Sequence, residues 1–145
     1  MGYRRKSREL AMQALFYMDM MENVSIEALD FFCHHFPPPK RVQPFFLALA
    51  TGVVNNHREI NAIIERFSSN WKISRMSGVD RNILRIAVYE LLYCNEIPPK
   101  VSINEAIDVG KRFGTEDSGA FINGILDSIH RAMEQGLIPV CRILQ

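Results

Sequence analysis

The chain has 145 residues, 48% of them hydrophobic, and a formal net charge of +1. That is one domain's worth of sequence with material for a sizeable core, and no apolar run reaches the length of a membrane-spanning helix. Cys33, Cys94 and Cys141 are odd in number, widely spaced and form no CxxC, the pattern of reduced thiols in a cytosolic protein rather than a disulfide framework. The basic N-terminus leads into an amphipathic pattern with Glu9 and Gln13, not a secretory signal.

A net charge so close to zero argues neither for nor against a nucleic-acid partner, but its distribution is uneven. Arg4, Arg5, Lys6 and Arg8 against Glu9 give the first nine residues +3, so the remainder must carry −2.

From Arg5 to Met21, Leu10, Ala11, Ala14, Leu15, Met18 and Met21 recur at three and four, which predicts a first helix with one apolar stripe and with Arg8 and Gln13 on its exposed side. Cations at a helix N-terminus oppose the macrodipole. A bound phosphate would relieve that repulsion and meet free N–H groups, whereas a solvated start that aids solubility needs no ligand; on charge alone both readings stand. Ser25 is placed to cap a short helix to about His35. Pro37, Pro38 and Pro39 must then be extended. Pro44 opens a pattern through Phe67 whose apolar residues fit either one bent helix or two, with Gly52 allowing close packing. Trp71 and Ile73 fall on a connector expected to pack beneath the bundle, and Ser77-Gly78 breaks the chain before the next helix.

Asp80 to about Cys94 places Ile83, Leu84, Ile86, Ala87, Val88, Leu91 and Leu92 around most of a helical circumference. A helix apolar on nearly all sides must be covered on several, so this is the predicted centre of the core. Pro98 and Pro99 end it. Ser102-Ile103-Asn104-Glu105 has capping-box spacing and predicts a helix to Gly114. Thr115 then caps a last helix with Glu116 and Asp117 in its first turn. Asn123 and Gly124 are expected at a close helix contact. Alternation of period two is absent and so is any repeat. The fold class is all-α, about seven helices in two small bundles, one domain over residues 1–133. Residues 134–145, with apolar Leu137, Ile138, Val140, Ile143 and Leu144, form a C-terminal extension of open role.

Catalytic chemistry finds little support. GxSxG, GxGxxG and Walker sequences are absent, and no Cys/His pair has a nucleophile signature. Cys33-His34-His35 point in different directions on a helix and have no second ligand pair at zinc spacing. Glu90, Glu96, Glu105 and Asp108 sit near basic residues, where ion pairs are the ordinary explanation. No cofactor or metal is expected. The corner Lys111 to Ser118 is more informative: two cations precede a tight helix–Gly–helix turn with a capped N-terminus after it. Asp117 and Ser118 could take hydrogen bonds from bases, and Phe113 and Phe121 could stack on unpaired ones, or both rings could simply fill core. Arg81 and Arg85 share a helix face, to meet a ligand or to pair with Glu90 or Asp80.

RRKSRELAMQALF, DRNILRIAVYELLY and IPPKVSINEAIDVGKRFGTEDSGAFINGILD, in this order from about Arg4 to Met133, resemble the NusB family of bacterial transcription antitermination factors. The resemblance implies a cytoplasmic, non-enzymatic all-helical protein that binds the boxA element of nascent ribosomal RNA transcripts together with the ribosomal protein NusE, within the RNA polymerase antitermination complex. It implies an RNA face of Arg4, Arg5, Lys6, Arg8, Gln13, Arg85, Asp117, Ser118 and Phe121. Phe16, Met20, Asp80 and Arg81 would border the NusE surface. In the corner of the RNA face, Gly119 and Ala120 depart from the more polar residues often seen in the family, which weakens the expectation of an added basic contact at position 120. Two other readings are a helical adaptor that binds protein only, and a stand-alone relative of the NusB-like domain of ribosomal-RNA cytosine methyltransferases, which would need a catalytic segment this sequence does not show. Self-association through the partner surface is left open.

Overall fold

A computed structural model describes residues 2–69 and 71–139. Six α-helices account for most of them: α1 Tyr3–Met20, α2 Ile26–His35, α3 Gln43–Arg66, α4 Gly78–Tyr93, α5 Pro99–Phe113 and α6 Ser118–Glu134. The count is six because the segment that fits one bent helix or two is a single kinked α3; the connector between α3 and α4 adds only a 3-10 turn, Ile73–Arg75. No strand occurs among the described residues.

The ends follow local chemistry. Ser25 Oγ accepts from Ala28 N–H at 3.1 Å and starts α2; Ser77 Oγ accepts from Asp80 N–H at 3.1 Å and starts α4. The long segment after Pro44 is one helix with a kink: Asn56 leaves helical geometry at φ −124°, and its Nδ2 donates back to Gly52 O at 2.8 Å. Helix α5 begins a turn earlier than the capping-box spacing predicts. Proline is pre-set for a first helical turn, so Pro99 opens the helix and Ser102 and Glu105 are released for other partners.

The predicted centre is the centre. From Asn82 to Val88 every residue of α4 is buried, and α4 packs against α1, α3, α5 and α6. The pairing of α1–α3 and of α4–α6 follows the two-bundle expectation, yet one continuous core joins them because α1 also lies along α4 and α5. Phe46, with no exposed surface, is typical of that core, and burying such a side chain is worth roughly 1.5–3 kcal/mol. Gly52 is needed where α3 crosses α4, since a Cβ there would lie 2.1 Å from the Tyr89 ring.

Three expectations are corrected here. Asn123 and Gly124 face solvent, with nothing within 4 Å of a Gly124 Cβ. Trp71 is 53% exposed instead of packed beneath the bundle, because the connector leaves it on the surface beside α6. Met21, assigned to the α1 stripe, is exposed past the last helical turn. In the C-terminal extension Ile138 is buried and Leu137 exposed; Val140, Cys141, Ile143 and Leu144 lie outside the described residues.

Candidate nucleic-acid interface

The cations of α1 divide into two groups by where the helix turns them. Arg4 and Lys6 are exposed; the Arg4 guanidinium lies 4.8 Å over the Phe45 ring and has no carboxylate partner among the described residues. Arg5 and Arg8 point across to α4 and α5. Arg5 Nε donates to Glu105 Oε1 at 3.1 Å, its Nη2 to Glu105 Oε2, and Nη2 also reaches Asp108 Oδ2 at 2.7 Å. Hydrogen bonds from Arg5 hold the Glu105 carboxyl below its ordinary range, against the opposing effect of partial burial.

Arg8 is a correction. Expected on the exposed side, it is 4% exposed and grips Glu90 with both arms, Nε to Oε2 at 2.8 Å and Nη2 to Oε1 at 2.7 Å. Ser102 Oγ donates to the same Glu90 at 2.8 Å. The repulsion at the start of α1 is therefore relieved internally, by carboxylates from α4 and α5. Arg85 is likewise withdrawn. It is buried, with Nη1 donating to Asp19 at 2.9 and 3.0 Å and Nε to Asn61 at 2.9 Å. Arg81 donates to Asp19 Oδ2 at 2.9 Å and to the Ile73 and Met76 carbonyls. Asp19, not Glu90 or Asp80, is thus the counterion of this pair. Burial alone would raise the Asp19 carboxyl, but the Arg85 charge and hydrogen bonds from Asn82, Arg85 and Arg81 hold it below its ordinary value.

Two depressions flank the α5–α6 corner. On one side lies a cleft of about 210 Å³ lined by Lys6, Glu9, Leu10, Gln13, Pro39, Val42, Arg112 and Phe113. Arg112 is a residue that the α1-centred reading passed over; it donates to Glu9 Oε2 at 2.8 Å and lies 5.0 Å over the Phe113 ring. Its signal was present in the pair of cations at the end of α5. On the other side is a depression of about 280 Å³ lined by Trp71, Arg75, Met76, Ser77, Asp80, Asp117 and Phe121. Trp71 and Phe121 meet edge to face with centroids 6.3 Å apart, so two aromatic rings border this depression.

The corner itself is a reciprocal cap. Asp117 N–H donates to Thr115 Oγ1 at 3.3 Å, and Thr115 N–H donates to Ser118 Oγ at 2.9 Å. Ser118 is 1% exposed and spends its hydroxyl on this turn, so the expected hydrogen bond to a base is corrected to a structural one. Asp117 is exposed and Phe121 half-buried, both still open to a ligand.

The four expected partner residues divide as well. Phe16 packs its ring over Gly78, where a Cβ would lie 2.6 Å from it. Met20 is 70% exposed. Asp80 Oδ1 is buried with no hydrogen-bond partner among the described residues, an orphaned acceptor beside the second depression. Arg81 is committed to Asp19 as described. Away from this face, His35 packs on Phe31 with ring centroids 4.2 Å apart, and among the described residues no three His, Cys, Asp or Glu side chains gather to hold a metal.

Fold and surface together define a small all-helical protein with clefts lined by cations, polar groups and aromatic rings beside the α5–α6 corner. The chain belongs to the NusB family, whose sequence model matches residues 5–131. Transcription antitermination protein NusB of Desulfatibacillum aliphaticivorans is 62% identical over 130 residues, covering 90% of this chain and 91% of the relative. The protein of the same name from Desulforapulum autotrophicum is 53% identical over 131 residues, covering 89% and 92%. Among solved structures, T. maritima NusB superposes with a TM-score of 0.77 at 35% identity, covering 93% of this chain and 97% of that one. A chain from a crystal structure of antitermination factors NusB and NusE in complex with dsRNA gives 0.78 at 27% identity, covering 90% and 97%.

Proposed function

We propose that this chain is a cytoplasmic transcription antitermination factor that binds boxA RNA jointly with a NusE-type ribosomal protein, as part of an antitermination complex on RNA polymerase. The observation that carries the RNA reading is the set of unpaired, exposed Arg4 and Lys6 beside the cleft that holds Gln13, Arg112 and Phe113. Cations without carboxylate partners are available to phosphates. The polar groups and rings of the cleft and of the Asp117–Phe121 corner are suited to unpaired bases. Arg5 sits at the edge of this set, where a phosphate would compete with Glu105 and Asp108. Residues 1–133 act as one domain in this reading, with Phe16, Met20 and Asp80 on the partner side.

Its activity is binding, and the effect of one ligand on the other is a coupling free energy that must be reciprocal. The test is fluorescence anisotropy of a boxA RNA against a scrambled one, with and without the ribosomal protein, at two salt concentrations. Preference for boxA that grows with the partner and weakens with salt is expected. Equal or absent binding to both RNAs, with the partner present, would leave a helical adaptor for protein alone.

A further inference from the structure

The cleft beside α1 has a wall that α1 and the α5–α6 corner do not supply. Pro39 and Val42 line it together with Arg112 and Phe113, and both belong to the connection between α2 and α3. Three consecutive prolines bring that connection up extended, and a tight turn follows. Val42 N–H and Gln43 N–H both donate to Pro39 O at 3.0 Å, which leaves Lys40 and Arg41 at the tip.

This turn is fastened to the start of α1. Val42 is 4% exposed, and Ser7 Oγ lies 3.0 Å from Val42 O and 2.7 Å from Tyr3 O, so its proton is held between the two carbonyls. At the tip, Arg41 Nη1 donates to the Tyr3 hydroxyl, and the Arg41 guanidinium lies 5.2 Å from the Tyr3 ring centroid. Lys40 and Arg41 are exposed, and neither meets a carboxylate among the described residues. Proline restricts the approach, the Ser7 and Tyr3 contacts fix the tip, and the Arg41 head group and the backbone that carries Lys40 are therefore held where a swinging lysine-rich loop would leave them free. Ordering paid in the free protein is not paid again on binding.

On the RNA-binding reading above, we propose that the Pro37–Val42 turn is a second wall of the RNA groove, with Lys40 and Arg41 holding backbone phosphates of the strand whose neighbouring nucleotides meet Arg4 and Lys6. Phosphate contacts set affinity and register but carry no base sequence. The turn therefore lengthens the footprint on the RNA and does not choose the bases. A set of charges that only keeps the protein soluble would contribute nothing to that footprint.

The experiment is a salt titration of the unsubstituted chain and of the double variant Lys40→Gln/Arg41→Gln, each with the NusE-type protein, on boxA RNA and on scrambled RNA of equal length. Each phosphate contact on a single strand adds about 0.7 to the slope of log affinity against log salt, so losing two should flatten it by roughly 1.4. The expected result is that flattening, an equal fold loss of affinity on both RNAs and an unchanged preference for boxA. Both side chains are exposed, so the variant folds; an unchanged thermal midpoint is the check. Unaltered slope in this variant, while Arg4→Gln/Lys6→Gln flattens it, overturns the second wall and leaves the RNA reading intact. A changed boxA preference also overturns it, since the turn would then be reading bases. If the unsubstituted chain fails to bind either RNA, both proposals fall together.

Discussion

Arg4 and Arg8 stand one helical turn apart on α1 and do opposite work. Arg8 is enclosed with Glu90 and Ser102, and truncating it to alanine strands a buried carboxylate. Breaking one side of such a pair costs roughly 3–5 kcal/mol. Urea unfolding of Arg8→Ala should show a loss of that order, with little direct change in the RNA salt slope of whatever fraction remains folded. Arg4→Ala should stay within about 0.5 kcal/mol of the parent, as surface changes do, and should weaken RNA binding. Equal stability losses in the two variants would refute this division. The sequence shows both as cations in one basic cluster, because the carboxylate that distinguishes them lies 82 residues further along. The same reason hid Asp19 as the counterion of Arg81 and Arg85. Long-range pairing of charges has no local signal, whereas Ser25 as a cap can be read from a few neighbouring residues.

Elements inherit their junctions from such contacts. The junction of α1 with α4 is the Asp19 carboxylate gripped by Arg81, Asn82 and Arg85. Its folded pKa is depressed, so its contribution to stability is complete above the unfolded value near 3.8 and is lost as pH falls through the lower folded one. Glu105 is depressed from 4.5 and acts in the same direction. Stability should therefore drop as pH is lowered below about 4, and Asp19→Asn should flatten that dependence while lowering stability at pH 7; urea midpoints across pH 2.5 to 7 would show it. A full-sized acid dependence in the variant would contradict the assignment. At the α5–α6 corner, a Cβ on Gly114 would lie 2.2 Å from Ser118 Oγ and 2.8 Å from Gly110 O. Gly114→Ala should cost about 1–3 kcal/mol by overpacking, read as a lower thermal midpoint. The position of the glycine stop was legible there, but Gly114 is extended at φ −96° instead of left-handed, and it is close packing that calls for glycine. The start of α5 was not legible, because Pro99 and Ser102 both make credible first residues; proline's pre-set geometry and the distant Glu90 that takes the Ser102 hydroxyl together favour Pro99.

Taken whole, the molecule has a depression on either side of the α5–α6 corner, and the one with Asp80 also takes in Asp117 and Phe121. Asp80→Asn is expected to reduce the factor by which the NusE-type protein tightens RNA binding while leaving RNA affinity without it unchanged. Isothermal titration in both orders checks this, and the factor must agree whichever ligand is added first. The all-helical class and the central place of α4 followed from apolar periodicity, which is written along the chain. Which cations face solvent did not follow, because that depends on how helices distant in sequence come to lie side by side.

That arrangement also sets an order of events at birth. The carboxylates that quiet Arg8 and Arg5 come 82 and 100 residues after them. At a synthesis rate of about 5–20 residues per second, the α1 segment waits roughly 4–20 s before its counterions exist. The leading end of the unfinished polypeptide thus carries unpartnered cations that the finished protein does not, and closing α4 and α5 onto α1 pairs them.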